Sequence, residues 1–439
     1  MKLPVAMSLR GLDLWLHGYR SATRRRLHRA RKLRQIVRHA YHHVPFYRRL
    51  FDEVGLHPDD ISGPEVLRHL PIVRREDIQS APAEDLLARG VDRETCVVRR
   101  SGGSTGRPLT IVTRREDLAY ETLGWLRTWF RLGLKPTDLQ VTIKDLEYLT
   151  NGNDVRWFQR LGLLRVKYLS QYEPLSRLVQ TLVRLRPDVL RAAPSNLKAL
   201  AREIEFMSAD PGIGPRLVFT TSETLTPSTR AQLQGIFRAP VFDLYGATEA
   251  GCIAWQCPKC SSYHVNSDYV VLEVIDHGEP VGPGQTGEVV VTNLFSWAMP
   301  FIRYSLGDVC ELQENNSCEG TRGSPTIRRL LGRTLDQITL ANGRIVPPDA
   351  FTLDSIDGIV EYQVIHERID PDTDLLRFRL VRSKALRMEV LEAERREYEA
   401  WLGQHCRISI EFVESIPLDP AEKFRRVVSK VATESGSAS

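Results

Sequence analysis

The sequence predicts an α/β protein with a large N-terminal domain and a small α+β C-terminal domain. Between residues 174 and 244, strand-like segments alternate with helical segments, which is typical of a parallel or mixed sheet covered by helices. From Tyr269 onward the pattern becomes β-rich with Gly and Pro turns, which favours a smaller barrel-like unit. Strands and one charged helix follow Gly332-Arg333, and 439 residues exceed one ordinary core. We therefore expect domains over residues 1–333 and 334–439.

The elements follow from local patterns of apolar residues. Residues 1–50 predict a basic helical lead-in, because apolar residues recur at helical spacing after Arg31. We expect helices over residues 115–132, 174–184, 194–206, 227–237 and 386–402, and strands over 141–143, 189–193, 216–221, 241–244, 270–275, 287–292, 362–364, 376–380 and 408–412. Ligands bind at the carboxyl ends of parallel strands, so Thr221-Ser222-Glu223 and residues 245–249 become candidate site residues.

Composition bounds the class of protein. Apolar residues make up 42% and charged residues 26% of the chain, which is typical of a globular enzyme. The sequence contains no run of eighteen apolar residues, so we expect no membrane span. Arg10 and Asp13 break the leading apolar segment, so it is a poor secretion signal, and we expect a cytoplasmic protein. Seven clustered cysteines favour a metal site in a reducing compartment over disulfides.

The basic N-terminus is the main charge asymmetry. Residues 1–50 carry thirteen Lys and Arg against the single Asp13. We expect this segment to form a solvated or partner-facing helix, and weak contact with an anionic membrane surface is the alternative. We expect no nucleic-acid partner. The pattern leaves open whether the chain forms a homodimer.

The stretch Ser101-Gly102-Gly103-Ser104-Thr105-Gly106-Arg107-Pro108-Leu109 predicts an anion-binding loop. Glycine lets backbone N–H groups approach phosphate oxygens closely, and the flanking segments have the apolar, β-branched character of strands. The stretch fits neither a P-loop nor a dinucleotide fingerprint. A surface turn of the same composition is the alternative interpretation.

Two further motifs carry candidate ligands. In Tyr245-Gly246-Ala247-Thr248-Glu249 the aromatic ring can stack on a base, and the carboxylate is a hard oxygen ligand for Mg²⁺. In Arg303-Tyr304-Ser305-Leu306-Gly307-Asp308 a carboxylate follows a tight turn and can hold ribose hydroxyls. Helix capping or loop capping would explain each motif equally well in isolation.

The order of these motifs resembles that of the adenylate-forming superfamily, in particular its phenylacetate-CoA ligase and capsule-biosynthesis-type branch. The loop at residues 101–109 is followed by Tyr-Gly-x-Thr-Glu, Arg-Tyr-x-x-Gly-Asp, Gly332-Arg333 and a late lysine, Lys423. Residues 40–47, Leu70-Pro71-Ile72 and Pro194-Ser195 match as well, so the resemblance covers nearly the whole chain.

The resemblance implies a role for each matching residue. Ser104 and Thr105 would hold the β- and γ-phosphates of ATP, Tyr245 would stack on adenine beside Asp243, and Glu249 would bind Mg²⁺. Asp308 would bind the ribose, with Arg333 nearby. Together with the candidates at the strand ends, the nucleotide site would comprise Ser101, Gly103, Ser104, Thr105, Gly106, Ser222, Glu223, Asp243, Tyr245, Gly246, Asp308 and Arg333. Thr248, Glu249 and Lys423 would be the catalytic residues.

One position departs from the family pattern. The family usually has an acidic residue or a lysine two positions after the hinge arginine, but here Leu335 stands there and Asp336 comes next. Lys430 is a second candidate for the late lysine, although its surroundings match less well.

The cysteine cluster predicts structural zinc. Cys257, Cys260 and His264 have the spacing C-x₂-C-x₃-H and can offer three ligands to Zn²⁺. The family that the chain resembles often has a Cys and a His after the Tyr-Gly motif and a Cys-x-Cys pair after the Gly-Asp motif. This resemblance implies Cys318 as the fourth ligand, with Cys252 or Cys310 as substitutes. Four protein ligands leave no position for water. Unligated buried cysteines are the alternative.

Together these observations predict an enzyme that activates a carboxylic acid, aryl or arylacetic by resemblance, with ATP and then transfers the acyl group to coenzyme A. An amine or sugar hydroxyl is the alternative acceptor. A non-catalytic binding protein on the same fold is the third interpretation.

Overall fold

The computed structural model describes residues 21–101, 108–146, 157–207, 212–314, 318, 325–334, 337–346, 350–416 and 425–431. The chain divides into two compact units. The large unit contains residues up to 225 together with 230–306 and 310–329. The small unit contains residues 226–229, 307–309 and 330 onward.

The N-terminal region of the large unit is helical, as predicted. Its helices are α1 Ala22–His43, α2 Pro45–Glu53, α3 Arg75–Ser80 and α4 Ala83–Leu86. One face of α1 is buried, with Leu33, Ile36 and Val37 fully covered. Part of its basic charge also points inward, since Lys32 Nζ lies 2.5 Å from the Tyr120 hydroxyl. None of the described helices combines the length and hydrophobicity that crossing a bilayer would require.

A two-stranded antiparallel ribbon precedes the main sheet. Its strands are β1 Val97–Arg100 and β2 Thr110–Thr113, paired from Val97 with Thr113 to Arg100 with Thr110. The predicted anion-binding loop therefore connects two strands, as expected. Within it, Gly103, Ser104, Thr105 and Gly106 lie outside the described residues.

A parallel sheet with intervening helices forms the middle of the large unit. The elements, in chain order, are α5 Arg115–Arg131, β3 Leu139–Lys144, α6 Trp157–Arg160, β4 Arg165–Ser170, α7 Leu175–Leu185, β5 Val189–Ala192, α8 Pro194–Phe206, β6 Leu217–Thr221, α9 Pro227–Phe237 and β7 Val241–Ala247. Strands β4, β3, β5, β6 and β7 are neighbours in that order, and all of these pairs are parallel. The alternation of strands and helices predicted from the sequence is confirmed.

The β-rich region continues the same hydrogen-bonded ladder. Its strands are β8 Gly251–Gln256, β9 Tyr263–Val265, β10 Val270–Asp276, β11 Glu279–Pro280, β12 Thr286–Asn293, β13 Tyr304–Leu312 and β14 Thr326–Arg333. The full order is β11-β10-β12-β13-β14-β9-β8-β7-β6-β5-β3-β4. The barrel-like region expected from Tyr269 onward is thus the β-rich end of a twelve-stranded sheet, because β9 and β8 join it to β7.

Each face of the parallel part has its own core. Leu190 and Val218 face a cluster that includes residues of α7, α8 and α9. Val189 and Phe219 face the opposite cluster, which includes Trp129 of α5. Side chains alternate between the faces of a strand, so both faces of the sheet are covered.

The small unit has a four-stranded sheet and one long helix. Its elements are the two-stranded pair β15 Ile338–Thr339 and β16 Ile345–Val346, followed by β17 Ile359–Asp370, β18 Thr373–Arg382, α10 Met388–Leu402, β19 Cys406–Phe412 and β20 Val427–Ser429. The sheet order is β19-β18-β17-β20. The predicted α+β character of this region is confirmed.

A buried hydrogen-bond network joins three strands of the small unit. His366 Nε2 lies 2.9 Å from Asp374 Oδ1, and His366 Nδ1 lies 2.8 Å from Ser429 Oγ. Arg368 also donates to Asp374 at 3.0 Å. Burial alone would raise the pKa of Asp374, but hydrogen bonds from His366, the Ala341 N–H and Arg368 outweigh it, so this pKa is lowered.

We expect Asp374→Asn to lower the free energy of unfolding by about 2–4 kcal/mol at neutral pH, because it leaves buried donors without their charged acceptor. A lowered folded-state pKa gives stability that is present above the unfolded value of about 3.9 and is lost as the pH falls through the folded value. The deficit should therefore shrink below about pH 4. Chemical denaturation across pH measures it, with exposed Asp372→Asn as control. Equal stability of the two variants at pH 7 would contradict the prediction.

Candidate active site

The ends of β6 and β7 lie side by side. The parallel pairing places Thr221 beside Leu244, so the residues that follow β6 are next to the Tyr-Gly motif in β7. Ser222 has a φ of 77°, which is a strained conformation for a residue with a side chain. Glu223 accepts hydrogen bonds from the backbone N–H of Ser195 at 2.9 Å and from its hydroxyl at 2.8 Å. This carboxylate therefore also anchors the start of α8.

The Tyr-Gly motif lies in a strand and in the turn that follows it. The sequence predicts that the strand ends at residue 244, and this is wrong, because β7 continues to Ala247. Tyr245 pairs with Ala254 and Gly246 with Cys252, so antiparallel β8 extends the strand by hydrogen bonding. Thr248 and Glu249 then lie in the turn between β7 and β8.

Asn293 holds this turn from β12. Its amide Nδ2 donates to the Glu249 backbone oxygen at 2.8 Å, and its Oδ1 accepts from the N–H groups of Phe295 and Ser296, also at 2.8 Å. All of these contacts are buried. The backbone position of Glu249 is therefore fixed by a residue 44 positions away in the chain.

Asp243 connects three strands. Its carboxylate accepts from Thr220 Oγ1 at 2.5 Å and from the Tyr263 hydroxyl at 2.7 Å, which ties β7 to β6 and β9. Burial raises the pKa of Asp243, although the hydrogen bonds from Thr220 and Tyr263 oppose the change. Both carboxylate oxygens thus have protein donors, and this residue supports the strand that carries Tyr245.

Gly246 is required by a close approach. A Cβ atom at this position would lie 2.7 Å from the Gly251 backbone oxygen and 2.7 Å from the Trp125 ring. Real Cβ atoms are essentially never this close to backbone. The indole of Trp125, on α5, therefore packs directly on the backbone of the Tyr-Gly motif.

Arg75 contacts Ser101, at the start of the predicted anion-binding loop. Ser101 is buried, and its hydroxyl accepts from the Leu109 N–H at 3.2 Å and from Arg75 Nη2 at 3.1 Å. Burial raises the pKa of Tyr304, and the charge of Glu249 raises it further while that of Arg75 lowers it. Tyr304 is therefore within electrostatic range of both groups.

The remaining candidates belong to the small unit. Arg333 Nε lies 3.6 Å from Asp308 Oδ1, so these two predicted residues are brought together. Lys430, the second candidate for the late lysine, forms an ion pair with Glu367, with 2.7 Å between Nζ and Oε1. Lys423 and the hinge residues Leu335 and Asp336 lie outside the described residues.

Four predicted metal ligands form one cluster in the large unit. The ligand atoms of Cys257, Cys260, His264 and Cys318 all lie within 4.8 Å of one another. Cys257 and Cys318 sulfurs are 3.9 Å apart, and Cys260 Sγ is 3.3 Å from His264 Nε2. Tetrahedral zinc with Zn–S bonds of about 2.3 Å sets sulfurs about 3.8 Å apart, so the spacing suits zinc.

Burial and neighbouring groups shift the pKa values of two members of this cluster. Cys260 is exposed as a residue, but partial burial of its sulfur raises its pKa to about 11, and the neighbouring Cys257 raises it too. Burial and Arg131 lower the pKa of His264 to about 4, which keeps the imidazole neutral, the form that binds metals. The proposed substitutes, Cys252 and Cys310, are not part of this group; Cys252 instead contacts Thr128 and Asn266.

Comparison with known proteins identifies the family. Residues 15–295 match the model of the family described as AMP-binding enzyme. The chain belongs to the AMP-binding enzyme family. It is 26% identical over 383 residues to a phenylacetate-coenzyme A ligase of Thermus thermophilus, covering 83% of this chain and 85% of the relative.

Two other comparisons extend across most of this AMP-binding enzyme. It is 20% identical over 403 residues to protein CapK of Staphylococcus aureus, covering 89% of this chain and 87% of that protein. A crystal structure of 2-hydroxyisobutyryl-CoA ligase in complex with 2-HIB-AMP superposes with a TM-score of 0.77 at 23% identity, covering 93% and 90% of the two chains. The structural likeness shows that the fold is shared.

The AMP-binding enzyme has site residues that the sequence analysis missed. They are Arg75 at Ser101, Asn293 at Glu249, Trp125 at Gly246 and Tyr263 at Asp243. Each acts through a contact between segments distant in sequence, so no local pattern marks it. A buried asparagine at the end of the apolar strand β12 is the one signal that could have been noticed.

We expect Gly246→Ala to lower the free energy of unfolding by about 1–3 kcal/mol, because the added methyl group would overlap the Gly251 oxygen and the Trp125 ring. Thermal denaturation measures the change. The control is Gly235→Ala in α9, where a Cβ atom meets nothing within 4 Å and alanine favours helix. Unchanged melting of the Gly246 variant would rule out the close approach.

Proposed function

We propose that this AMP-binding enzyme activates a carboxylic acid with ATP and transfers the acyl group to coenzyme A. In the first step a carboxylate oxygen attacks the α-phosphorus, the bond from that phosphorus to the bridging oxygen of pyrophosphate breaks, and pyrophosphate leaves. In the second step the coenzyme A sulfur attacks the acyl carbon, AMP leaves with the C–O electron pair, and the thiol proton passes to solvent.

The observation that carries the proposal is the fixed turn at Thr248-Glu249 within a chain that matches the family over residues 15–295. Relatives that cover most of the chain are named phenylacetate-coenzyme A ligases. A related fold has been crystallised with an acyl-adenylate and coenzyme A. An aryl or arylacetic acid is the proposed substrate class, by analogy with these relatives.

The roles of individual residues follow from the chemistry. Joining two anions requires cations around the developing charge at phosphorus. Glu249, held by Asn293 through its backbone, is proposed to bind Mg²⁺ on the phosphates, and Thr248 to contact the reacting phosphate. Asp308 is proposed to bind the ribose hydroxyls beside Arg333. Lys423 is proposed to contact the substrate carboxylate and the α-phosphate.

A second acceptor is supported by one comparison. The similarity to CapK spans 89% of the chain, and that protein is not named as a coenzyme A ligase. The same acyl-adenylate could then be passed to an amine or a sugar hydroxyl. Product analysis with and without coenzyme A distinguishes the two acceptors, and the non-catalytic interpretation requires that no acid supports pyrophosphate release.

We expect acid-dependent pyrophosphate release from ATP in a panel of carboxylic acids, and thioester formation when coenzyme A is added. Lys423→Ala and Glu249→Gln should each lower kcat/KM for adenylation by about 100-fold or more. The first removes a cation proposed to contact the α-phosphate, and the second weakens the proposed Mg²⁺ site, so both reduce the stabilisation of negative charge in the transition state. The matched control is Lys430→Ala, since Lys430 pairs with Glu367. Native rates in the Lys423 variant, or a loss confined to the Lys430 variant, would contradict the assignment.

We further propose that the cysteine cluster holds structural Zn²⁺. Four protein ligands would complete the tetrahedral shell, so the ion would stabilise the fold and would have no position for substrate. The cluster joins the turn after β8 to the strand β9 and to Cys318. This is the region next to the β7–β8 hairpin, and we expect the metal to hold it in place.

We expect one zinc per chain by elemental analysis of protein purified without chelator, and loss of that zinc in Cys257→Ser and Cys260→Ser. Because metal binding contributes to folding free energy, the melting temperature of these variants should fall by at least about 5 °C. Cys96→Ser is the control, since Cys96 is not in the cluster. Equal zinc content in the wild-type protein and all variants would contradict the proposal.

A further inference from the structure

Arg191 is an unusual residue for its position. It is the one charged side chain in β5, and the residues on either side of it, Leu190 and Ala192, are buried. In the sheet it pairs with Thr142 of β3 on one side and with Phe219 of β6 on the other. Alternation along the strand places it with Val189 on the face covered by α5.

The guanidinium of Arg191 is held by neutral groups. Its Nε donates to Thr142 Oγ1 at 3.0 Å and its Nη1 to Gln140 Oε1 at 3.3 Å. Its central carbon lies 4.0 Å from the centre of the Trp129 ring. Across the described residues, no carboxylate forms a hydrogen bond or an ion pair with this cation. The indole Nε1 of Trp129 is also buried without a hydrogen-bond partner in the described chain.

This arrangement keeps a positive charge in a poorly solvated place. Burial lowers the pKa of Arg191 to about 10, so the group remains protonated at neutral pH. Burial and the charge of Arg191 together lower the pKa of nearby Lys144, at the end of β3. Arg191 is partly buried, and a partly buried cation without a counter-ion is costly. An anion that enters this place would reduce the cost.

The position relative to the Tyr-Gly motif indicates which anion. Trp125 packs on Gly246, and Trp129 lies one helical turn further along the same helix, against Arg191. The α5 face of the sheet therefore leads from Gly246 to Arg191. An acid whose carboxylate reacts near Thr248 and Glu249 would extend along this face, with its far end toward Arg191.

We propose that Arg191 is the specificity-determining residue at the far end of the acyl-binding site, and that it selects an acid with a second carboxylate or another anionic oxygen. This inference rests on the proposed function and specifies its substrate class. The Trp129 N–H supplies a further donor to the same group. Acids that end in hydrocarbon would leave the Arg191 charge without a counter-ion and the Trp129 N–H unpaired, which a binding site penalises strongly.

The test measures kcat/KM for pyrophosphate release with matched acids that differ only at the far end. The pairs are terephthalate against 4-methylbenzoate, 4-carboxyphenylacetate against 4-methylphenylacetate, and adipate against hexanoate. We expect the wild-type enzyme to prefer the second carboxylate in at least one pair by about 100-fold or more. In Arg191→Met the same ratio should fall below about 3-fold.

Three further variants make the result specific. Arg191→Lys keeps the charge and should retain part of the preference, whereas Trp129→Phe keeps the ring and should lower the preference by about 10-fold. The control Arg177→Met changes an exposed arginine and should behave as wild type. If Arg191→Met fails to fold, the Arg191→Lys and Trp129→Phe ratios decide the question.

The outcomes separate this inference from the proposed function. The inference would be overturned if hydrocarbon-ended acids released pyrophosphate at equal or higher efficiency and the kcat/KM ratios of the acid pairs were unchanged in the Arg191 and Trp129 variants. Acid activation would still stand in that case. The absence of pyrophosphate release with every acid would overturn the proposed function, and the inference with it. Acid-dependent thermal stabilisation that the Arg191→Met change abolishes would support it independently.

Discussion

Hydrogen bonding on both edges of β7 is the constraint on which the large unit depends. One edge pairs with β6 in parallel and the other with β8 in antiparallel orientation. The parallel, helix-covered half and the β-rich half of the sheet therefore meet at this strand. A strand that is paired on both edges has little freedom to move, so residues at its end keep a defined position. The turn with Thr248 and Glu249 leaves the sheet at this point.

Side chains from distant segments reinforce the same strand. Asp243 ties it to β6 and β9, Trp125 covers Gly246, and Asn293 holds the backbone of Glu249. The donors and acceptors in these contacts are buried, and an unpaired buried polar group is costly. Removal of one partner would therefore disturb the others, so the supporting contacts of the site are mutually dependent.

A second set of contacts explains why the Leu70-Pro71-Ile72 motif lies beside the motif that begins at Arg303, although the two are far apart in sequence. Arg303 donates to the backbone oxygens of Arg68, at 2.9 Å, and of Leu70, and pairs with Glu273 at 3.2 Å. The backbone of Val73 bonds both Arg303 and Ser305. The segment with Leu70-Pro71 is thus anchored on β13, close to Arg75, which bonds Ser101 at the start of the anion-binding loop.

The sequence by itself determined the alternation of strands and helices, the ribbon around the predicted anion-binding loop and three members of the cysteine cluster, Cys257, Cys260 and His264, because periodicity, turn residues and ligand spacing are local properties. The structure decided that Cys318, and neither Cys252 nor Cys310, is the fourth member. Only the tertiary structure decided that β7 continues through Gly246, since the additional residues are strand through pairing with β8. It alone assigned Asn293 and Trp125 to the site and paired Lys430 with Glu367. These results depend on which distant segments meet, and packing sets that through burial and hydrogen-bond satisfaction, neither of which leaves a periodic trace in the chain.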